Sequence, residues 1–149
     1  MSARLVVGVD GSQTATLAVR WAAREATLRG ASLELVSAWE IPVTGVGFGY
    51  GFAPIPDEMI KGLEQGAEEL LAEAAEAART EAPEIQIETR VVEGPAASAL
   101  LEASKDADML VVGSRGMGGF RELLLGSVSA QCAHHASCPV VIVRHERAA

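Results

Sequence analysis

The spacing of apolar residues changes several times along the chain. Residues 5–9, Leu5-Val6-Val7-Gly8-Val9, form a continuous apolar run, as a strand buried on both faces does. Asp10-Gly11-Ser12 breaks that run and offers Ser12 as a helix N-cap. Ala15, Val19, Ala22, Ala23 and Ala26 then follow helical spacing until Gly30 supplies the stop. Residues 33–39 read as a second strand. Across 40–56, Gly45, Gly47, Gly49 and Gly51 alternate with Val46, Phe48, Tyr50 and Phe52, bracketed by Pro42, Pro54 and Pro56. This is a long loop, and long loops are often functional. Ile60, Leu63, Ala67, Leu70, Leu71, Ala74, Ala77 and Ala78 make one apolar helical stripe. Residues 85–92 alternate, as a half-exposed strand does. Gly94-Pro95 opens a short helix ending near Lys105, and 109–112 form a fourth strand entering Gly113. A glycine-rich turn, a helix over about 127–136 and a fifth strand over 139–143 complete the chain.

Alternating strands and helices predict a single α/β domain over 1–149 with a parallel sheet. The strands around Val7 and Val111 are apolar on both faces and belong in the centre. The strand from Ile85 alternates and belongs at an edge. If the last strand is also an edge, its apolar ladder lies open, and proteins cover such edges. A homodimer joined along Val140–Val143 would cover it.

Composition narrows the classes. In 149 residues, 49% are hydrophobic and 21% charged, which excludes disorder as the dominant state. No apolar run approaches the roughly 18 residues of a membrane span, and the start of the chain is no signal-peptide core, so the expected compartment is the cytoplasm. The net charge is -8, and the stretch 57–88, with ten acids and two bases, carries all of it. That stretch reads as a solvated helix face, and an acidic surface argues against nucleic acid as a partner. Two cysteines are too few for a disulfide scaffold. Cys132, His134, His135 and Cys138 invite a metal reading, but a short helix followed by Cys-Pro gives poor tetrahedral geometry. His134 and His135 fit better as C-terminal helix residues favoured by the dipole. No metal site is expected.

The chemistry concentrates after the fourth strand, in Gly113, Ser114, Arg115, Gly116, Met117, Gly118, Gly119, Phe120, Arg121 and on to Gly126-Ser127. Glycines let main-chain N–H groups approach a ligand, and a helix N-terminus suits an anion. With the Ser127 hydroxyl, these features make a phosphate cradle. Arg115 and Arg121 either add charge or are simply solvated. Met117 either touches the ligand or packs the loop. Asp10 ends the first strand. In open α/β sheets the ligand crevice lies beyond the carboxyl ends of the strands, where the winding reverses. There Asp10 would accept from ribose hydroxyls or hold a cation, and its other role, as a turn residue before the first helix, is compatible with that.

The spacing Gly113-x2-Gly116-x9-Gly126-Ser127 resembles the nucleotide-binding signature of the universal stress protein family. Val9-Asp10-Gly11-Ser12 is similar to that family's first-strand motif, and Cys138-Pro139-Val140-Val141-Ile142-Val143 to its terminal strand. The resemblance implies a three-layer α/β/α fold with a five-stranded parallel sheet of order 3-2-1-4-5, of the adenine nucleotide alpha-hydrolase-like kind. It also implies the ATP-binding branch, with ATP and Mg2+ as ligand. By position, Asp10 would contact ribose, Gly8 and Val9 would line the crevice, and the main chain at Ala38 would meet adenine. Gly113, Gly116, Gly126, Ser127 and Val128 would hold phosphates. Dimerisation through the last strand is implied as well.

Other nucleotide and nucleophile motifs do not occur. No Gly-x4-Gly-Lys-Ser/Thr, Gly-x-Gly-x2-Gly or Gly-x-Ser-x-Gly is present. The expected activity is regulatory binding rather than catalysis. The alternatives are a slow ATPase or nucleotidyl-transfer enzyme on the same scaffold, and a sensor of AMP or cyclic AMP. A phosphoryl-transfer enzyme needs cation clamps and a positioned nucleophile, whereas the glycine-rich loop offers no lysine and no base besides Glu122.

Overall fold

Strand side chains alternate between the two faces of a sheet, and here both faces are apolar. The result is one sheet with helices on each side. The computed structural model describes residues 3–41, 55–116 and 125–145. The elements are β1 (Arg4–Gly8), α1 (Gln13–Arg29), β2 (Ser32–Trp39), α2 (Asp57–Glu81), β3 (Ile87–Glu93), α3 (Ala96–Ala103), β4 (Met109–Gly113), α4 (Ser127–His135) and β5 (Val140–Val143). The five strands lie in the order β3-β2-β1-β4-β5, and every pairing is parallel. The expected α/β sheet of order 3-2-1-4-5 is therefore what the chain forms.

The period-2 alternation divides the core. Leu5 and Val7, Leu33 and Leu35, and Met109 and Val111 pack beneath α1 and α2. Val6, Val36, Leu110 and Val112 face the other way, onto Leu100 and Ala103 of α3 and Cys132 of α4. β1 and β4 are buried on both faces, as their continuous apolar runs predict.

Local chemistry fixes the ends of the elements. Ser12 Oγ accepts from the Ala15 N–H at 3.2 Å and caps α1. Gly30 ends that helix at φ 62°, a left-handed conformation that suits glycine. α2 follows Pro56 and carries Asp57 and Glu58 in its first turn, where the helix dipole favours acids. Its buried stripe is Ala67, Leu71, Ala74, Ala75 and Ala78. Glu64, Glu68, Glu69, Glu73 and Glu76 face solvent, as the acidic stretch predicts.

One element differs from the sequence reading. β3 begins at Ile87 rather than Ile85. A turn occupies the preceding residues, and Ile85 is drawn into the core beside α1 and α2 instead of joining the ladder. β2, a strand as expected, carries a buried charge, Glu34. Arg4 Nη1 on β1 donates to Glu34 Oε2 at 3.0 Å, and Arg90 Nη2 on β3 lies 3.0 Å from Oε1 as an ion pair. β5 is an edge strand, half-buried along its whole length. Among the described residues, no helix is long and apolar enough to cross a membrane.

Candidate functional site

β1 lies at the centre of the sheet. The chain winds from it to β2 and β3 on one side, and β4 and β5 occupy the other. The carboxyl ends of β1 and β4 are thus the switch point at which open α/β sheets hold ligands. A crevice opens there, with about 500 Å³ of space free of protein atoms, part of it open to solvent.

One wall is the end of β1. Gly8, Val9 and the exposed Asp10 line it. The Val9 N–H donates to Val36 O at 2.8 Å, so the main chain stays extended past the strand end. Asp10 Oδ1 accepts from the Ser12 N–H at 2.8 Å, which is an Asx turn into α1. Its other oxygen, Oδ2, faces Gly116: a Cβ built on Gly116 would stand 3.2 Å from it. The carboxylate and the glycine arm after β4 are therefore side by side, although they lie far apart in sequence.

The opposite wall is the arm 113–116 and the start of α4. Gly113, Arg115, Gly116 and Val128 line the crevice. Gly126 is the N-cap of α4 and, having no side chain, makes no capping hydrogen bond; among the described residues the first N–H groups of α4 keep their need for an acceptor. The Gly126 N–H donates to Ser114 O at 2.7 Å. Ser129 Oγ donates to the same carbonyl at 3.0 Å. These bonds tie the helix start to the arm.

The floor is apolar: Val36, Ala38, Ala96, Leu100 and Val112. Gly8 is small because Leu100 occupies the place of its side chain; a Cβ there would meet Leu100 Cδ1 at 2.8 Å. An apolar floor beneath a polar, donor-rich rim suits a flat ring carrying an anionic tail.

The structure places the residues singled out from sequence as follows. Gly8, Val9, Asp10, Ala38, Gly113, Arg115, Gly116 and Val128 meet at the crevice. Ser114 is buried and is not on its wall; its main chain joins β5 and α4, with the N–H donating to Val143 O at 2.8 Å. Gly126 and Ser127 form the adjacent helix start, with Ser127 exposed. Met117, Gly118 and Gly119 lie outside the described residues, as do Arg121 and the glycine–aromatic stretch 45–52. Sequence reasoning missed Thr14, Ala96, Leu100 and Ser129. Ala96 and Leu100 share a helix face at i and i+4, a signal indistinguishable from ordinary core packing.

Gly113 has a different reason from the one its motif suggests. A Cβ on it would stand 2.5 Å from Thr14 Oγ1 and 2.7 Å from the Ala15 nitrogen. Its missing side chain makes room for the first turn of α1, not for a ligand. Cys132 is wholly buried, and burial, with a lesser push from Cys138, raises its thiol to about 11. It stays protonated at neutral pH and is a poor metal ligand. Among the described residues no group of three or more His, Cys, Asp or Glu side chains is placed to hold a metal ion.

The fold and the crevice together define an open α/β protein with an anion-suited site at the switch point. The profile of the Universal stress protein family matches residues 1–144, and the chain belongs to that family. It is 39% identical over 140 residues to Universal stress protein Rv2624c of Mycobacterium tuberculosis (strain ATCC 25618 / H37Rv), covering 94% of this chain and 47% of that one. The chain thus spans about half the length of the curated relative it matches. A solved universal stress protein in complex with cAMP superposes with a TM-score of 0.65 at 31% identity, over 95% of each chain. The hypothetical protein MJ0577 shares the fold, with a TM-score of 0.75 at 20% identity over 99% of each chain.

Proposed function

We propose that this protein binds an adenine nucleotide, ATP with Mg2+ in the first instance, and acts as a cytoplasmic regulatory protein rather than a catalyst. One observation carries the reading: the Asp10 carboxylate stands directly beside Gly116, next to a helix start whose N-cap, Gly126, has no side chain to cap it. An acceptor for sugar hydroxyls and a set of donors for phosphate then face one crevice, with an apolar floor for the base. The relative solved with cAMP supports an adenine nucleotide, and the spacing of Gly113, Gly116, Gly126 and Ser127 supports ATP. In this reading Mg2+ is held chiefly by the phosphates and water, as is usual for that ion. Asp10 is the one carboxylate among the described residues lining the crevice. Among the described residues the lining offers one cation, Arg115, and no lysine, which supports holding the nucleotide over transferring its phosphate.

Calorimetry with MgATP, AMP and cyclic AMP tests the proposal. Wild-type protein should bind at least one of them, and competition ranks the three. Gly116→Val should abolish binding, because its side chain would fill the gap between the arm and Asp10. Its stability should stay near wild type, since the atom it approaches is the end of an exposed side chain. Unchanged affinity in the Gly116→Val variant would sink the reading.

A further inference from the structure

Thr14 lies on the first turn of α1, beside Ala15 of the crevice lining, and is 2% exposed. Its hydroxyl does two things to one residue. Oγ1 donates to Arg115 O at 2.7 Å and accepts from the Arg115 N–H at 3.3 Å. Ser12 Oγ also donates to Arg115 O, at 3.2 Å, while it caps α1. Two hydroxyls from one helix turn thus take the Arg115 carbonyl. The omission of a side chain at Gly113 lets that turn come close enough to do so.

We propose that Thr14 is a positioning residue for anion binding: it fixes the Arg115–Gly116 peptide so that the Gly116 N–H faces away from α1 and serves as a phosphate donor. Peptide geometry carries the step. The chain has no cis peptide among the described residues, and in a trans peptide the C=O and the following N–H point in opposite directions. A carbonyl held on α1 therefore turns the next N–H away from α1. That nitrogen stands 3.3 Å from where a Cβ on Gly126 would lie, so the donor sits beside the start of α4. The N–H of Gly116 and the N-terminal amides of α4 then converge on one anion, and Thr14 supplies the brace rather than a contact. A rotated 115–116 peptide would present the Arg115 carbonyl, which repels phosphate.

The inference rests on the nucleotide reading, so its test has a readout with ligand and one without. Thr14→Val removes the hydroxyl and keeps the branched shape, while Thr14→Ser keeps the hydroxyl. Thr14→Ala replaces the valine variant if that one does not fold. In the ligand-free protein, Thr14→Val should speed amide hydrogen exchange at Arg115, whose N–H the Thr14 hydroxyl accepts, at least tenfold, and Thr14→Ser should not. In calorimetry Thr14→Val should weaken MgATP about tenfold, the worth of one hydrogen bond to a charged group. Adenosine, which lacks the phosphates, should bind as it does to wild type. Three results overturn the proposal: unchanged MgATP affinity in Thr14→Val, an equal loss for adenosine, or a serine variant as impaired as the valine one. If wild-type protein binds neither compound, the nucleotide reading falls, and the exchange rates then decide on the brace alone: faster exchange in Thr14→Val sustains it and unchanged exchange refutes it.

Discussion

Glycines that look alike in a motif do different physical work once the chain is folded. Gly113 is a packing glycine, since α1 occupies the space its side chain would need. Gly116 is a site glycine, with the tip of Asp10 the only described atom near its missing Cβ. Gly126 is both a cap and a contact, because a Cβ there would stand 3.3 Å from Arg115 Cα and from the Gly116 nitrogen. The spacing of these residues is visible in the sequence, but their separate reasons are not. The difference is measurable. Gly113→Ala forces a methyl against main-chain atoms of α1, which cannot swing aside as a side-chain end can. Overpacking of that kind costs about 1–3 kcal/mol. Its urea midpoint should fall by a corresponding amount, whereas Gly116→Val should unfold near the wild-type midpoint and yet fail to bind. A Gly113→Ala variant as stable as wild type would show that α1 yields more readily than its hydrogen bonds to Arg115 suggest.

At the scale of elements, the switch between helical spacing and continuous or alternating apolar runs made the fold readable. β1 and β4 declare themselves central by the unbroken apolar runs Leu5–Val7 and Met109–Val112, and Ser12 and Gly30 mark the ends of α1 by their chemistry. The start of β3 was less readable, because the alternation continues through Ile85 while the turn before Ile87 is set by tertiary packing. The buried charge on β2 was not readable at all. Glu34 is followed by Leu35 and Val36 in an otherwise strand-like run, and its partners come from two other strands. Those partners explain why it is tolerated, for a buried carboxylate needs compensation. They also make a prediction. With either Arg4 or Arg90 replaced by alanine, the remaining guanidinium still pairs with Glu34, and the loss should be modest. With both replaced, an unpaired carboxylate remains in a site where its side chain is 6% exposed, a situation that costs about 3–5 kcal/mol. The double variant should therefore be less stable than the two single losses summed, and a denaturation cycle that came out additive would show that the two arginines act independently.

At the scale of the whole molecule, the switch point brings Asp10 to Gly116 across more than a hundred residues, and strand order alone is enough to foresee that meeting. Thr14, Ala96 and Leu100 could not be foreseen in the same way, since nothing in their local sequence separates a brace or a floor from ordinary packing. The same strand order leaves β5 as an edge of four apolar residues, which a second copy pairing along it would cover. The ladder shows how to test this without disturbing the sheet. The carbonyls of Pro139 and Val143 accept from the N–H groups of Leu110 on β4 and of Ser114 just past its end. Main-chain groups alternate in direction along a strand, so residues 139, 141 and 143 face β4, and Val140 and Ile142 turn theirs to the open side. Ile142→Pro removes an outward N–H while leaving the inner ladder whole. Ile142→Ala keeps that N–H and loses only side-chain packing against the α3 and α4 face. Sedimentation should find wild type and Ile142→Ala as dimers and Ile142→Pro as a monomer. If all three sediment alike, the exposed ladder is not where copies of the chain meet. A dimer lost equally in the alanine and proline variants would place the interface on side chains rather than on the strand edge.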